Sequence, residues 1–192
     1  MDILSQSEII YLVLIMIATA IPAGFAAGLF GIGGGLVTVP ILFYIFSFSG
    51  IETAYVMHLA VGTSFGIIIP TSTVSVLTHH QHKAVDFSIV KGFGFFVATG
   101  VILGTIFAAS LETKPLILFF TIIVYVLAFY LLFLKEKETN IEIKIGLFSK
   151  AISGIVSGFI SAPMGIGGAV MNVPILKFFG YPINKAIGSA AA

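Results

Sequence analysis

Apolar positions in this chain come in long unbroken runs rather than in alternating or one-faced patterns. Residues 9–51 carry no charge. At about 1.5 Å per residue, a helix of that length covers roughly two crossings of a ~30 Å hydrocarbon core. Pro22, Gly24, Gly28, Gly31 and the run Gly33, Gly34, Gly35 punctuate it, which predicts two helices joined by a glycine hinge. Further apolar segments lie at 54–77, 87–109, 115–134 and 145–164. Residues 165–179 form a short glycine-led segment, and 183–192 begin one more helix. The fold class expected is an all-α integral membrane protein, a polytopic helical bundle.

Composition narrows the choice further. Hydrophobic residues make up 58% of the 192 and charged residues 9%, with a mean hydropathy of +1.16. Soluble domains carry about 25% charged residues, so a soluble enzyme or a nucleic-acid-binding domain is excluded. The chain begins MDILSQSE, acidic where a secretory signal is basic, so the segment from Ile9 reads as a retained span. All nine basic residues are lysine, and cysteine is absent. An anion would therefore be held without the planar fork of arginine, and disulfides, thiol catalysis and Cys-ligated metals are ruled out.

The lysines orient the segments. Lys83 and Lys91, then Lys135, Lys137, Lys144 and Lys150, then Lys177 and Lys185 form three groups, leaving Lys114 alone. With the N-terminus outside and every segment crossing, the three groups face the cytoplasm, as the positive-inside rule asks. A hairpin with its tip at mid-membrane keeps the same parity.

An internal repeat is visible. Residues 24–42 read GFAAGLFGIGGGLVTVPIL and residues 158–176 read GFISAPMGIGGAVMNVPIL, with ten of nineteen positions identical at an offset of 134. Each copy is followed by an echo, AVGTS at 60–64 and AIGSA at 186–190. The offset spans five apolar segments, an odd number, so the copies are expected upside down relative to each other. Inverted repeats with broken helices mark secondary transporters whose site lies near the midplane. Residues 1–144 are then a first membrane repeat, with a cytoplasmic linker at 135–144, and 145–192 begin a second.

The glycines suggest backbone chemistry. Gly33, Gly34 and Gly35 lead one short helix, and Gly167 and Gly168 lead the other. Such positions allow close approach of a ligand to unpaired N–H groups at the positive end of a helix, an anion site that needs no cationic side chain. Thr38, Thr63, Ser64, Asn172 and Ser189 are placed to add neutral donors, and Gly31, Pro40, Gly165 and Pro174 to act as hinges. The competing explanation is that the glycines only let helices pack closely. Gly100 and Gly104 form a GxxxG suited to packing or to a homodimer. His79, His80 and His82 share a short loop with Lys83 and have no carboxylate at ligand spacing, so they read as solvated; no metal or cofactor is expected. His58 and Glu52 fit an interfacial position better than a proton relay.

GIGGGLVTVPIL, HLAVGTS, HKAVD before a glycine-rich span, and GIGGAVMNVPIL followed by GYP and AIGS together resemble the TauE/SafE sulfite exporter family of bacterial membrane permeases. The resemblance implies a multi-pass inner-membrane protein that moves a small anion, such as sulfite or an organosulfonate, across the lipid bilayer as a secondary carrier. It departs from symmetry at Ala169, which replaces the last glycine of the second motif, and at Ala190, which stands where the first copy has Ser64. The repeat also predicts a full chain of about 270 residues, so the sequence reads as a fragment lacking about three spans. The alternative function is a non-transporting membrane assembly subunit or half-channel, in which the glycines serve packing alone. An intramembrane enzyme fits least, since no paired carboxylates or Ser/His constellation stands at mid-span.

Overall fold

A computed structural model of the chain describes residues 6–30, 34–133 and 146–192. Gly31, Gly33 and the expected linker at 135–144 lie outside them. The described residues form eight helices: α1 (Gln6–Phe30), α2 (Gly35–Phe48), α3 (Val56–Gln81), α4 (Phe87–Ser110), α5 (Thr113–Phe133), α6 (Leu147–Met164), α7 (Ala169–Phe178) and α8 (Ile183–Ala191). Each falls on an apolar run read from the sequence. Four of them, α3 to α6, are long and apolar enough to cross a membrane. The protein is a polytopic helical membrane protein.

The short helices differ from a full crossing. With 14 and 10 residues, α2 and α7 measure about 21 Å and 15 Å, well under a ~30 Å core. Both run unbroken through their prolines, Pro40 and Pro174, each the sixth residue of its helix. A proline there withholds an N–H from the first turn's carbonyls without stopping the helix. Gly165 closes α6 with a φ of +61°. Gly165 N–H donates to the Ala162 carbonyl at 3.1 Å and Ile166 N–H to the Ser161 carbonyl at 3.3 Å, the paired bonds of a Schellman end.

Packing follows helical spacing. Val39, Leu42 and Phe46 of α2 meet Val56, Met57, Ala60 and Val61 of α3 in one buried cluster, joined by Ala108 and Leu116. A second cluster ties α4 to α7 and α8 through Ile89, Phe93, Leu176 and Ala186. A third wraps Met164, Ile166 and Val170 at the α6–α7 break with side chains of α5 and with Leu36.

The tightest seam joins α4 and α6. A Cβ at Gly100 would fall on the Ile155 carbonyl and one at Gly104 on the Phe159 carbonyl. From the other side, Gly158 faces the Val97 carbonyl and Gly154 the Phe96 side chain. Two GxxxG stripes thus pack backbone to backbone, the close approach that small residues permit in a bilayer. Gly100 and Gly104 serve this seam within the chain. Large side chains elsewhere face outward, Phe95, Tyr125 and Phe129 among them, as expected of lipid-facing surface. Exposed hydroxyls at Thr71, Thr99, Thr105 and Thr121 donate to carbonyls of their own helix one turn back, which satisfies them in hydrocarbon.

Candidate functional site

The two glycine motifs meet. Gly35, the first residue of α2, is buried so closely against the Gly165–Ile166 backbone that a Cβ would overlap the Gly165 carbonyl and lie 2.6 Å from the Ile166 Cα. This contact explains the asymmetry between the copies. Position 35 has no room for a methyl, whereas its counterpart Ala169 is only half-buried. Among the described residues, Gly34 has no neighbour within 4 Å of a would-be Cβ.

The sequence-derived residues assemble as two groups. In the first, Thr38 Oγ1 donates to the Gly34 carbonyl at 3.0 Å and Ser64 Oγ donates to the Gly165 carbonyl at 2.5 Å. The two hydroxyl oxygens stand 3.4 Å apart. Ser64 is fully buried and Thr38 half-buried. The two hydroxyls are thus within hydrogen-bond reach of each other, and either can donate across the pair. Thr63 is half-buried one position earlier and joins none of these bonds.

In the second group, Ser157 Oγ donates to Asn172 Oδ1. That leaves the amide nitrogen turned toward Gly168, whose would-be Cβ lies 2.6 Å from Asn172 Nδ2. The first-turn N–H groups of α7 open beside it, since the first donors of a helix have no partner within it. Ser189 accepts the Asp86 N–H at 3.0 Å, keeping its own proton to give. Gly168, Asn172 and Ser189 line a cavity of about 270 Å³ between α4, α7 and α8, with Phe93, Val97 and Ala190 among its other walls. A Cβ at Gly167 would lie 3.8 Å from Ile68 Cγ2 of α3. No charged side chain belongs to either group.

Sequence reasoning missed Ser157 and Ser161. Ser153, Ser157 and Ser161 repeat every four residues along α6, a stripe that signals one helix face. Ser157 orients Asn172, and the Ser161 hydroxyl is buried with no partner among the described residues. The histidines lie apart: the His80 ring packs on Phe87, His82 Nδ1 lies 2.9 Å from the Thr78 carbonyl, and His58 Nε2 3.2 Å from the Ala108 carbonyl.

Four helices of spanning length, two short glycine-led helices and a polar, uncharged interface between the two motifs define a multi-pass membrane protein. The chain belongs to the sulfite exporter TauE/SafE family, whose model matches residues 16–192. It is 34% identical to a probable membrane transporter protein of Haemophilus influenzae, over 88% of this chain and 64% of that protein. A probable membrane transporter protein of Methanocaldococcus jannaschii is 28% identical over 95% of this chain and 68% of its own length. One from Bacillus subtilis is 25% identical over 92% and 71%. The chain thus spans about two thirds of the curated relatives it matches, and slightly less of the first. No solved structure matches it.

Proposed function

We propose that this chain forms the substrate-handling part of a secondary transporter that exports a small anion such as sulfite or an organosulfonate. The observation that carries the reading is the meeting of the two motifs, Gly35 against Gly165 and Ile166, on a family background of membrane transporters. The starts of α2 and α7 each offer about half a positive charge. Gly34, Gly168, Asn172 Nδ2 and the Ser189 hydroxyl supply neutral donors beside them. Donors in a water-poor site bind an anion far better than in bulk water. Without arginine the grip stays moderate, which suits a carrier that must release its cargo. Residues 1–144 and 145–192 act as inverted repeats in this scheme, with the N-terminus outside the inner membrane.

Gly35 also supports the second reading, an assembly subunit, because its burial is a packing role. Gly34 separates the two. Its φ of −59° is helical and no described residue crowds a Cβ there, so Gly34→Ala should leave the fold intact while placing a methyl at the start of α2. In proteoliposomes, sulfite efflux should fall several-fold with no loss of folded protein. Wild-type efflux from the variant, or no sulfite efflux from the unaltered protein, would favour packing alone.

A further inference from the structure

The duplication extends beyond its motifs into the helices that flank them. Helix α2 begins at Gly35 and α7 at Ala169, the same spacing as the motifs. At that spacing α6 is the counterpart of α1, and Gly154, Ile155, Gly158 and Phe159 answer to Ala20, Ile21, Gly24 and Phe25. The two faces differ in what they carry. On α6, Gly154 and Gly158 are buried under α4, and the Ile155 and Phe159 carbonyls meet Gly100 and Gly104. On α1, Ile21 and Phe25 are 71% and 72% exposed, and no described atom lies within 4 Å of a Cβ at Gly24.

Small residues alone name no partner, but the adjoining groove does. Between α6 and α7, Lys150, Leu176 and Phe179 line a groove that α4 fills with Ile89 and Phe93, leaving about 10 Å³. The same three positions of the first copy are Met16, Leu42 and Ile45, and they line an open groove of about 320 Å³ between α1 and α2. The hydroxyls of Thr19 and Thr38 in its wall donate to carbonyls one turn back, so the groove offers apolar surface. We propose that this groove and the Ala20–Gly24 face are the seat of a further membrane-spanning helix, the second repeat's counterpart of α4. The relatives have length for it, since about a third of each lies outside the match.

Helix α4 shows what the occupant must carry. Ile89 and Phe93, four residues apart, enter the groove, and Gly100 and Gly104 follow as a small pair at the same spacing. Gly100 meets Ile155 and Gly104 meets Phe159, so α4 runs parallel to α6, and the occupant runs parallel to α1. Lipid is as apolar as the groove, so the helix is held by fit and close backbone approach, which the small pair permits. Seating it covers Ile21 and Phe25 and walls the groove side of Thr38. The seat rests on the duplication and not on the anion reading, because a transporter and an assembly subunit would both use it.

The test co-expresses this chain with the part of the Haemophilus influenzae relative that its match leaves uncovered, and a tag confirms that segment in the membrane. The segment is expected to copurify with the chain. Gly24→Cys should form a disulfide with cysteines placed on one face of a single helix of the segment. Ala20→Cys should move that bridge one turn toward the helix's N-terminus. Gly24→Leu should cut copurification several-fold with the chain's own unfolding midpoint unchanged, and Tyr125→Leu on exposed α5 should alter neither. No copurification with the segment present in the membrane would overturn the seat, as would full copurification with Gly24→Leu. A Gly24→Cys bridge between two copies of the chain would also overturn it, giving the face to self-association.

Discussion

Gly100→Ala places one methyl group in the α4–α6 seam, where its cost can be worked from the geometry. The new Cβ would overlap the Ile155 carbonyl and sit 2.8 Å from that carbonyl carbon and 2.9 Å from the Ile155 Cα. These are backbone atoms and cannot rotate away. The helices must part until the contact relaxes toward the ordinary 3.4–4 Å range, a shift on the order of 1 Å shared along the seam. Dispersion is steep at this distance, and a gap of 0.5–1 Å already forfeits roughly a quarter to a half of each contact's well. Overpacking of this kind costs about 1–3 kcal/mol. Gly92→Ala on the same helix is the matched control, since only the Lys150 Nζ lies near its Cβ, at 3.9 Å. There the gain in helix propensity, up to ~1 kcal/mol, should appear unopposed. Unfolding in mild detergent under an SDS titration reads both. Opposite signs are expected, with Gly100→Ala unfolding at distinctly lower SDS. If the two variants unfold together, the seam is not close-packed and the argument fails.

Single cysteines report the orientation: Lys83→Cys should react with a membrane-impermeant thiol reagent only from the cytoplasmic side, and Lys114→Cys only from outside. External labelling at position 83 would refute the N-out parity and the inverted relation of the repeats. Gly165→Ala should destabilise the protein by about 1–3 kcal/mol in thermal unfolding, because an L-residue at φ +61° is strained and its methyl would lie 3.0 Å from the Val39 Cγ2. A variant as stable as the unaltered protein would show that the break tolerates a side chain.

The helices were legible because membrane spans announce themselves by charge-free length, a property local to the sequence. Some of their ends are set locally too, though only the structure shows how: Gly165 closes α6 at φ +61°, and Asp86 Oδ1 accepts the Ser88 N–H at 2.9 Å to start α4. What pairs with what was not. Gly100 and Gly104 showed a GxxxG, yet its partner stripe, Gly154 and Gly158, emerges only once α4 lies on α6. The polar residues Thr38, Ser64 and Asn172 stood out as neutral groups after glycine motifs. The direction of their hydrogen bonds depends on Gly165 and Ser157, 101 and 15 residues away. No spacing rule reaches across that distance. Pro40 and Pro174 read as hinges in the sequence; each withholds a single N–H within α2 and α7, which continue through them.

The glycine seam also decides which pieces of this molecule can move as one. It welds α4, from the expected first repeat, to α6, from the second, along backbone contacts that leave no slack for sliding. A rocking motion dividing the chain at its sequence boundary would have to shear that weld. The joint between the α2–α3 pair and the α6–α7 break is smaller, made by the Gly35 contact, the Ser64 hydroxyl bond and side chains such as Leu36 and Val39. The molecule therefore divides mechanically into a frame containing α4 and α6 and a lighter arm of α2 and α3. The frame draws on both halves of the expected duplication while the arm lies within the first, so the ancestry of the chain and its machinery follow different lines.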